Sequence, residues 1–138
     1  MSITDDILGK AEGIEVRIMD LSGANGSEPL ETVRGFSSLA HANAFARRYV
    51  RDSMEVCRPR GAGAEAARDA WFAFGEDAVV VGPEGATIEG AWSSGNELAD
   101  FAAAPPRDRE DRNWRMIDPR KLAAEEDDDD GDDGEAEA

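Results

Sequence analysis

The chain contains one histidine, His41, and one cysteine, Cys57, and this pair is the first place to look for chemistry. An imidazole beside a thiol can take its proton and create a thiolate nucleophile, but only within hydrogen-bond reach, about 3 Å. The two residues lie 16 positions apart within "SLAHANAFARRYVRDSMEVCR" (38–58). That stretch has the pattern of one continuous helix, which separates them by roughly 24 Å along its axis. On a wheel with Leu39 at zero, Cys57 falls in line with Leu39 and His41 lies about 200° away. The pair therefore cannot cooperate within one chain. Cys57 is expected as a small buried hydrophobe and His41 as a solvated side chain of the first turn. One His and one Cys cannot assemble a Cys/His zinc set, and no metal or other cofactor is expected.

The same helix carries Arg47, Arg51 and Arg58 close together on one side, with Arg48 further round. A basic stripe can face phosphates or an acidic partner. Arg48 with Asp52, and Arg51 with Glu55, also have the spacing of local ion pairs. Trp114 sits between charged runs in "RDREDRNWRMIDPRKL" (107–122) and is as well suited to anchor a partner as to pack internally. The candidate partner-binding residues are therefore Arg47, Arg48, Arg51 and Trp114.

Other chemistry fits less well. In "EDDDDGDDGEAE" (126–137), Glu126, Asp128, Asp130, Gly131 and Glu137 fall at calcium-loop positions one, three, five, six and twelve. Position one is normally Asp, and the usually apolar position eight is Asp133. The run reads as a loose counterion binder. "VVGPEG" and "SSGN" lack the spacing of a phosphate-cradling loop. Ser22, Asn25 and Ser27 have no base beside them in sequence, and acid pairs such as Glu76-Asp77 are common in a chain with 31 acidic residues. No catalytic residue is singled out.

Several elements must hold these groups. "IEVRIMDL" (14–21) alternates apolar and polar residues with the period of a half-buried strand. A turn-rich loop, "SGANGSEP" (22–29), returns through "LETVRGF" (30–36) as a hairpin. Ser37 or Ser38 caps the helix over about 38–58. Its wheel gathers Leu39, Ala42, Ala46, Tyr49, Val50, Ser53, Met54, Val56 and Cys57 on one flank, with Phe45 at the border and the arginines opposite. Residues 64–75, "AEAARDAWFAFG", fit a helix better than a strand, because an Ala/Glu/Arg run precedes the aromatics. "DAVVVG" (77–82) reads as a buried strand, and "ATIEGAW" (86–92) as a further one pairing back on it. Ser94 and Glu97 have capping-box spacing and open a short helix over 96–104. Trp71, Phe72, Phe74, Trp92 and Phe101 are expected in the core.

The fold class that follows is α+β: a small two-layer sandwich in which a β-hairpin precedes a long amphipathic helix, a second helix, further short strands and a short C-terminal helix. Residues 1–13 form an arm or short helix, 14–105 one domain, 106–122 a charged arm, and 123–138 an acidic tail expected to be disordered.

Charge narrows the function. There are 31 acidic and 15 basic residues, net −16, and the last 15 positions alone hold ten acids and no base. Such a chain is repelled by nucleic-acid and anionic membrane surfaces. No run approaches the length of a membrane span, and the N-terminus lacks a signal-peptide pattern, so a cytoplasmic location is expected. The reading that fits best is a non-catalytic protein-binding, adaptor or regulatory module whose partner is another protein. The alternatives are a small-ligand protein or enzyme using carboxylate and arginine groups, and an acidic decoy mimicking nucleic acid.

Overall fold

The computed structural model describes residues 13–122. The expected N-terminal arm, apart from Gly13, and the acidic tail lie outside the described residues. Three strands, β1 (Glu15–Asp20), β2 (Glu31–Val33) and β3 (Glu76–Val81), form an antiparallel sheet in the order β2-β1-β3. The long helix α1 (Leu39–Cys57) covers one face, flanked by α2 (Ala64–Phe74) and α3 (Leu98–Ala103). This is the α+β class expected from the pattern.

Period-two alternation fixes the register. Val16 opposes both Val33 and Val80, and Ile18 opposes Ala78, so the small and branched residues of three strands share one face. From α1 come Ala42, Phe45, Ala46, Val50 and Met54, all closed to solvent. Burial of each large apolar side chain contributes about 1.5–3 kcal/mol, so this contact dominates the fold. Ser38 caps α1 by accepting the His41 N–H at 3.1 Å. Trp71 of α2 and Phe101 of α3 close the flanks.

Two expected elements differ. Residues 86–92 do not form a strand. A tight turn at Pro83–Gly85, with Glu84 and Gly85 both left-handed, closes through Gly82 N–H donating to Ala86 O at 2.7 Å. Beyond it, the Asn43 side chain of α1 donates to Gly90 O at 3.0 Å and accepts from Trp92 N–H at 2.8 Å. The backbone groups that would have joined β3 are thus partly held by α1. The Ser94/Glu97 capping box is also absent. Ser93 accepts the Gly95 N–H, while the Glu97 carboxylate turns to Arg47 and Trp92. The helix begins at Leu98.

Phe72 and Phe74, expected in the core, are 53% and 74% exposed. Only Ala67 and Trp71 of α2 are buried, so the helix presents its last aromatics outward.

The joint from α2 into β3 depends on Gly75. A Cβ there would lie 2.4 Å from Trp71 Cδ1 and 2.7 Å from Trp71 O. Trp71 is itself 1% exposed and cannot retreat. Gly75→Ala is expected to destabilise the fold by about 1–3 kcal/mol through overpacking, seen as a lower urea midpoint with an unchanged slope.

Candidate functional site

The helix that carries the candidate arginines is docked along its polar flank. Residues 106–122 run over it as two short 3-10 turns, Arg109–Arg112 and Trp114–Ile117. Asp52 of α1 accepts Arg112 Nε at 2.7 Å and Trp114 Nε1 at 3.3 Å. Arg48 donates to Asn113 O at 3.1 Å. His41 Nε2 lies 2.7 Å from Ile117 O, while its Nδ1 accepts the Ser37 N–H at 3.1 Å. A backbone donor on Nδ1 assigns the proton to Nε2, which donates to Ile117 O. His41 is therefore a clasp for the arm rather than a solvated side chain. At the far end, Arg120 joins Asp118 to Glu31 of β2.

The local pairs Arg48–Asp52 and Arg51–Glu55 do not form: Asp52 is taken by Arg112, and Glu55 by Arg58 at 2.7 Å. Arg47 binds Glu97 through Nε at 2.6 Å and Nη2 at 3.2 Å. Burial pushes the Glu97 carboxyl up, but the bonds from Arg47 and Trp92 outweigh it and hold the group below its ordinary value. Arg51 is 8% exposed, with Nε and Nη1 lacking any hydrogen-bond partner among the described residues. Its guanidinium lies over the Phe101 ring, 4.5 Å from the centroid, and burial lowers its pKa.

Trp114 is packed. Its ring sits 4.9 Å from Tyr49 and 5.8 Å from Phe45. Its edge nevertheless borders a cleft of about 200 Å³, and of the four candidates it alone does so. The cleft lies between the last turns of α1 and the α2–β3 joint, lined also by Tyr49, Val56, Cys57, Phe74 and Arg115. Val56 and Phe74 are 72% and 74% exposed. Tyr49 Oη donates to Glu76 Oε1, and burial together with that acceptor raises its pKa. Ser53 Oγ accepts both Trp71 Nε1 at 3.1 Å and Glu76 N–H at 2.9 Å. Arg115 stacks on Trp114 at 4.3 Å and has no carboxylate partner among the described residues.

Burial pushes the Cys57 thiol up, away from the reactive thiolate. Continuous α1 keeps His41 at the opposite end from Cys57. The Ser53 oxygen is already committed to two donors. Among the described residues there is no cluster of three His, Cys, Asp or Glu placed to hold a metal, and no helix is long and apolar enough to cross a membrane. The sequence pattern missed Val56, Phe74 and Arg115 as surface groups. Val56 at the edge of the wheel's apolar flank, one residue before the thiol, was the available signal.

No protein-family model matches this chain, and neither the curated proteins nor the solved structures gave a match to it.

Two outcomes follow from these contacts. The unpaired groups of Arg51 each cost about 1–3 kcal/mol, against about 2 kcal/mol at most from the Phe101 ring. Arg51→Met is therefore expected to raise the urea midpoint. Glu97 has a folded pKa below its unfolded value. Its stabilisation is present above the ordinary value of 4.5 and is lost as pH falls through the lower, folded one. Glu97→Gln should thus cost about 0.5–1 kcal/mol at pH 6, with a difference that shrinks on acidification below pH 4 in parallel urea titrations.

Proposed function

We propose that this chain is a non-catalytic protein-binding module, an adaptor or regulatory component of the cytoplasm, that docks a partner protein at the cleft beside Trp114. The observation that carries this reading is the exposure of Phe74 and Val56 side by side on the cleft rim. Two large apolar groups at the mouth of an aromatic-lined recess are what a partner's anchor side chain needs. Size supports a side chain over a metabolite. The recess, about 200 Å³, falls below the roughly 300–1,000 Å³ of sites that enclose small ligands. The fitting partner surface offers one large apolar side chain, with a carboxylate beside it for Arg115. The net charge of −16 counts against nucleic acid. The raised thiol, far from the imidazole, counts against thiol catalysis.

The test compares wild type, Phe74→Ser and Phe72→Ser, captured after cross-linking in native cells. Phe72 is exposed but does not line the cleft. Wild type and Phe72→Ser should retain the same protein in stoichiometric amount, while Phe74→Ser, with an unchanged urea midpoint, retains at least tenfold less. Equal recovery by all three would sink the reading.

A further inference from the structure

The place beside β3 where a fourth strand was expected holds a groove of about 260 Å³. One wall is the outer edge of β3 itself, Asp77 to Val81 without a break, and the other is the 87–94 segment with Ile88 and Trp92. The pairing of β3 with β1 shows which backbone groups face the groove. Leu21 N–H donates to Gly75 O at 2.9 Å, and the register continues through Met19 with Asp77 and Arg17 with Val79. Alternation in an antiparallel pair then turns the N–H and C=O groups of Glu76, Ala78 and Val80 outward.

Side chains stand in for a strand along this edge. Ser53 Oγ takes the Glu76 N–H, and the Asp77 carboxylate folds back to take the Ala78 N–H at 2.9 Å. Burial lifts the Asp77 carboxyl above its ordinary value, against the lowering pull of the nearby Ser94 hydroxyl and the Ala78 N–H. The groups beside it are neutral, and no Lys or Arg pairs with it among the described residues. Asp77 is half-buried, a carboxylate partly withdrawn from water without a cation is poorly compensated, and the groove is the side from which one can arrive.

We propose that this groove accepts an extended, lysine- or arginine-bearing segment of a partner protein, which adds to β3 as a fourth strand and places its cation on Asp77. An open strand edge supplies main-chain hydrogen bonds to such a segment, and side-chain contacts set its specificity. A carbonyl of the incoming segment takes over the Ala78 N–H, freeing the Asp77 carboxylate to meet the cation. Ile88 and Trp92 offer apolar contact to its alternate side chains. The net charge of −16 draws basic segments toward the molecule from a distance. This site lies along β3, apart from the Phe74 cleft, and stands or falls separately from it.

The test titrates the full, ¹⁵N-labelled chain with the capped peptide Thr-Val-Lys-Val-Thr-Val and with its counterpart carrying Glu for Lys. The Lys peptide should shift Asp77, Ala78, Val80 and Ile88 saturably and slow hydrogen exchange at Ala78, with the Glu peptide at least tenfold weaker. Asp77→Asn keeps the cap on Ala78 but removes the charge, and should lose about tenfold for the Lys peptide. Thr87→Lys, an exposed change at the groove wall, should weaken it as well. Equal binding of both peptides, shifts confined to residues 123–138 or to the Phe74 cleft, or wild-type affinity in both variants would overturn the proposal.

Discussion

Val16, Ile18 and Val33 of the sheet and Phe45, Ala46, Val50 and Met54 of α1 are shut off from solvent together, and their contact fixes how α1 is rotated about its own axis. Every other placement inherits that rotation. Asn43 is turned to the edge of the helix, where it reaches Gly90 and Trp92 and holds the 86–92 segment off the sheet. Ser53, ten residues further along, meets Trp71 and Glu76 and locks the α2–β3 joint. The opposite flank then presents Arg47, Arg48, Asp52 and His41 to residues 90–118. A helix rolled by one residue, about 100°, would lose all of these at once.

The polar flank of α1 shows why a basic stripe need not be an external surface. An exposed ion pair contributes about 0–1 kcal/mol, so a solvated stripe would add little. Here the arm lies over it, and each contact joins residues far apart in sequence: Asp52 with Arg112, Arg47 with Glu97, His41 with Ile117. Burying the edges of Trp114 and Ile117 supplies the apolar part of the same seam. Arg51 is the exception. It lies desolvated over Phe101 of α3, with Nε and Nη1 lacking an acceptor among the described residues. Its long stem and planar head fill space beside α3 that a shorter residue would leave open.

The parts of the fold that were legible in sequence are those set by local periodicity. β1 alternates, and α1 divides into two flanks, because burial on one side imposes a period of 2 or 3.6 on neighbouring residues. Ser38 could be read as a cap for the same reason. What escaped depends on distant partners. Nothing within "ATIEGAW" says that Asn43, 49 residues before Trp92, will take its backbone groups. Glu97 has the spacing of a capping box, yet Arg47, 50 residues earlier, competes for it more strongly with two charge-assisted bonds. Phe74 looked like core because aromatics usually are. Its exposure follows from Gly75, which ends α2 so abruptly under Trp71 that the final turn has no neighbour to bury it. Of the candidate site, Trp114 was legible as an ambivalent residue, and its bordering of the cleft could not be read without the fold.

The distribution of charge separates the two kinds of acidic protein that the composition allows. A nucleic-acid mimic must hold free carboxylates in a fixed array, at spacings resembling phosphates. In the described residues, several carboxylates are spent on arginines: Glu15 on Arg34, Asp52 on Arg112, Glu55 on Arg58, Glu97 on Arg47, Asp118 on Arg120. Each such pair removes one unit from the external field, and those of Asp52 and Glu97 also join elements. Asp77 is held instead by the backbone, its carboxylate accepting the Ala78 N–H with no Lys or Arg paired to it among the described residues. A single half-buried carboxylate on a strand edge cannot imitate a polyanion; in the proposed complex it selects for one cation at one position. That arrangement fits the proposed recognition of a defined protein segment rather than an array of free charge on the folded domain.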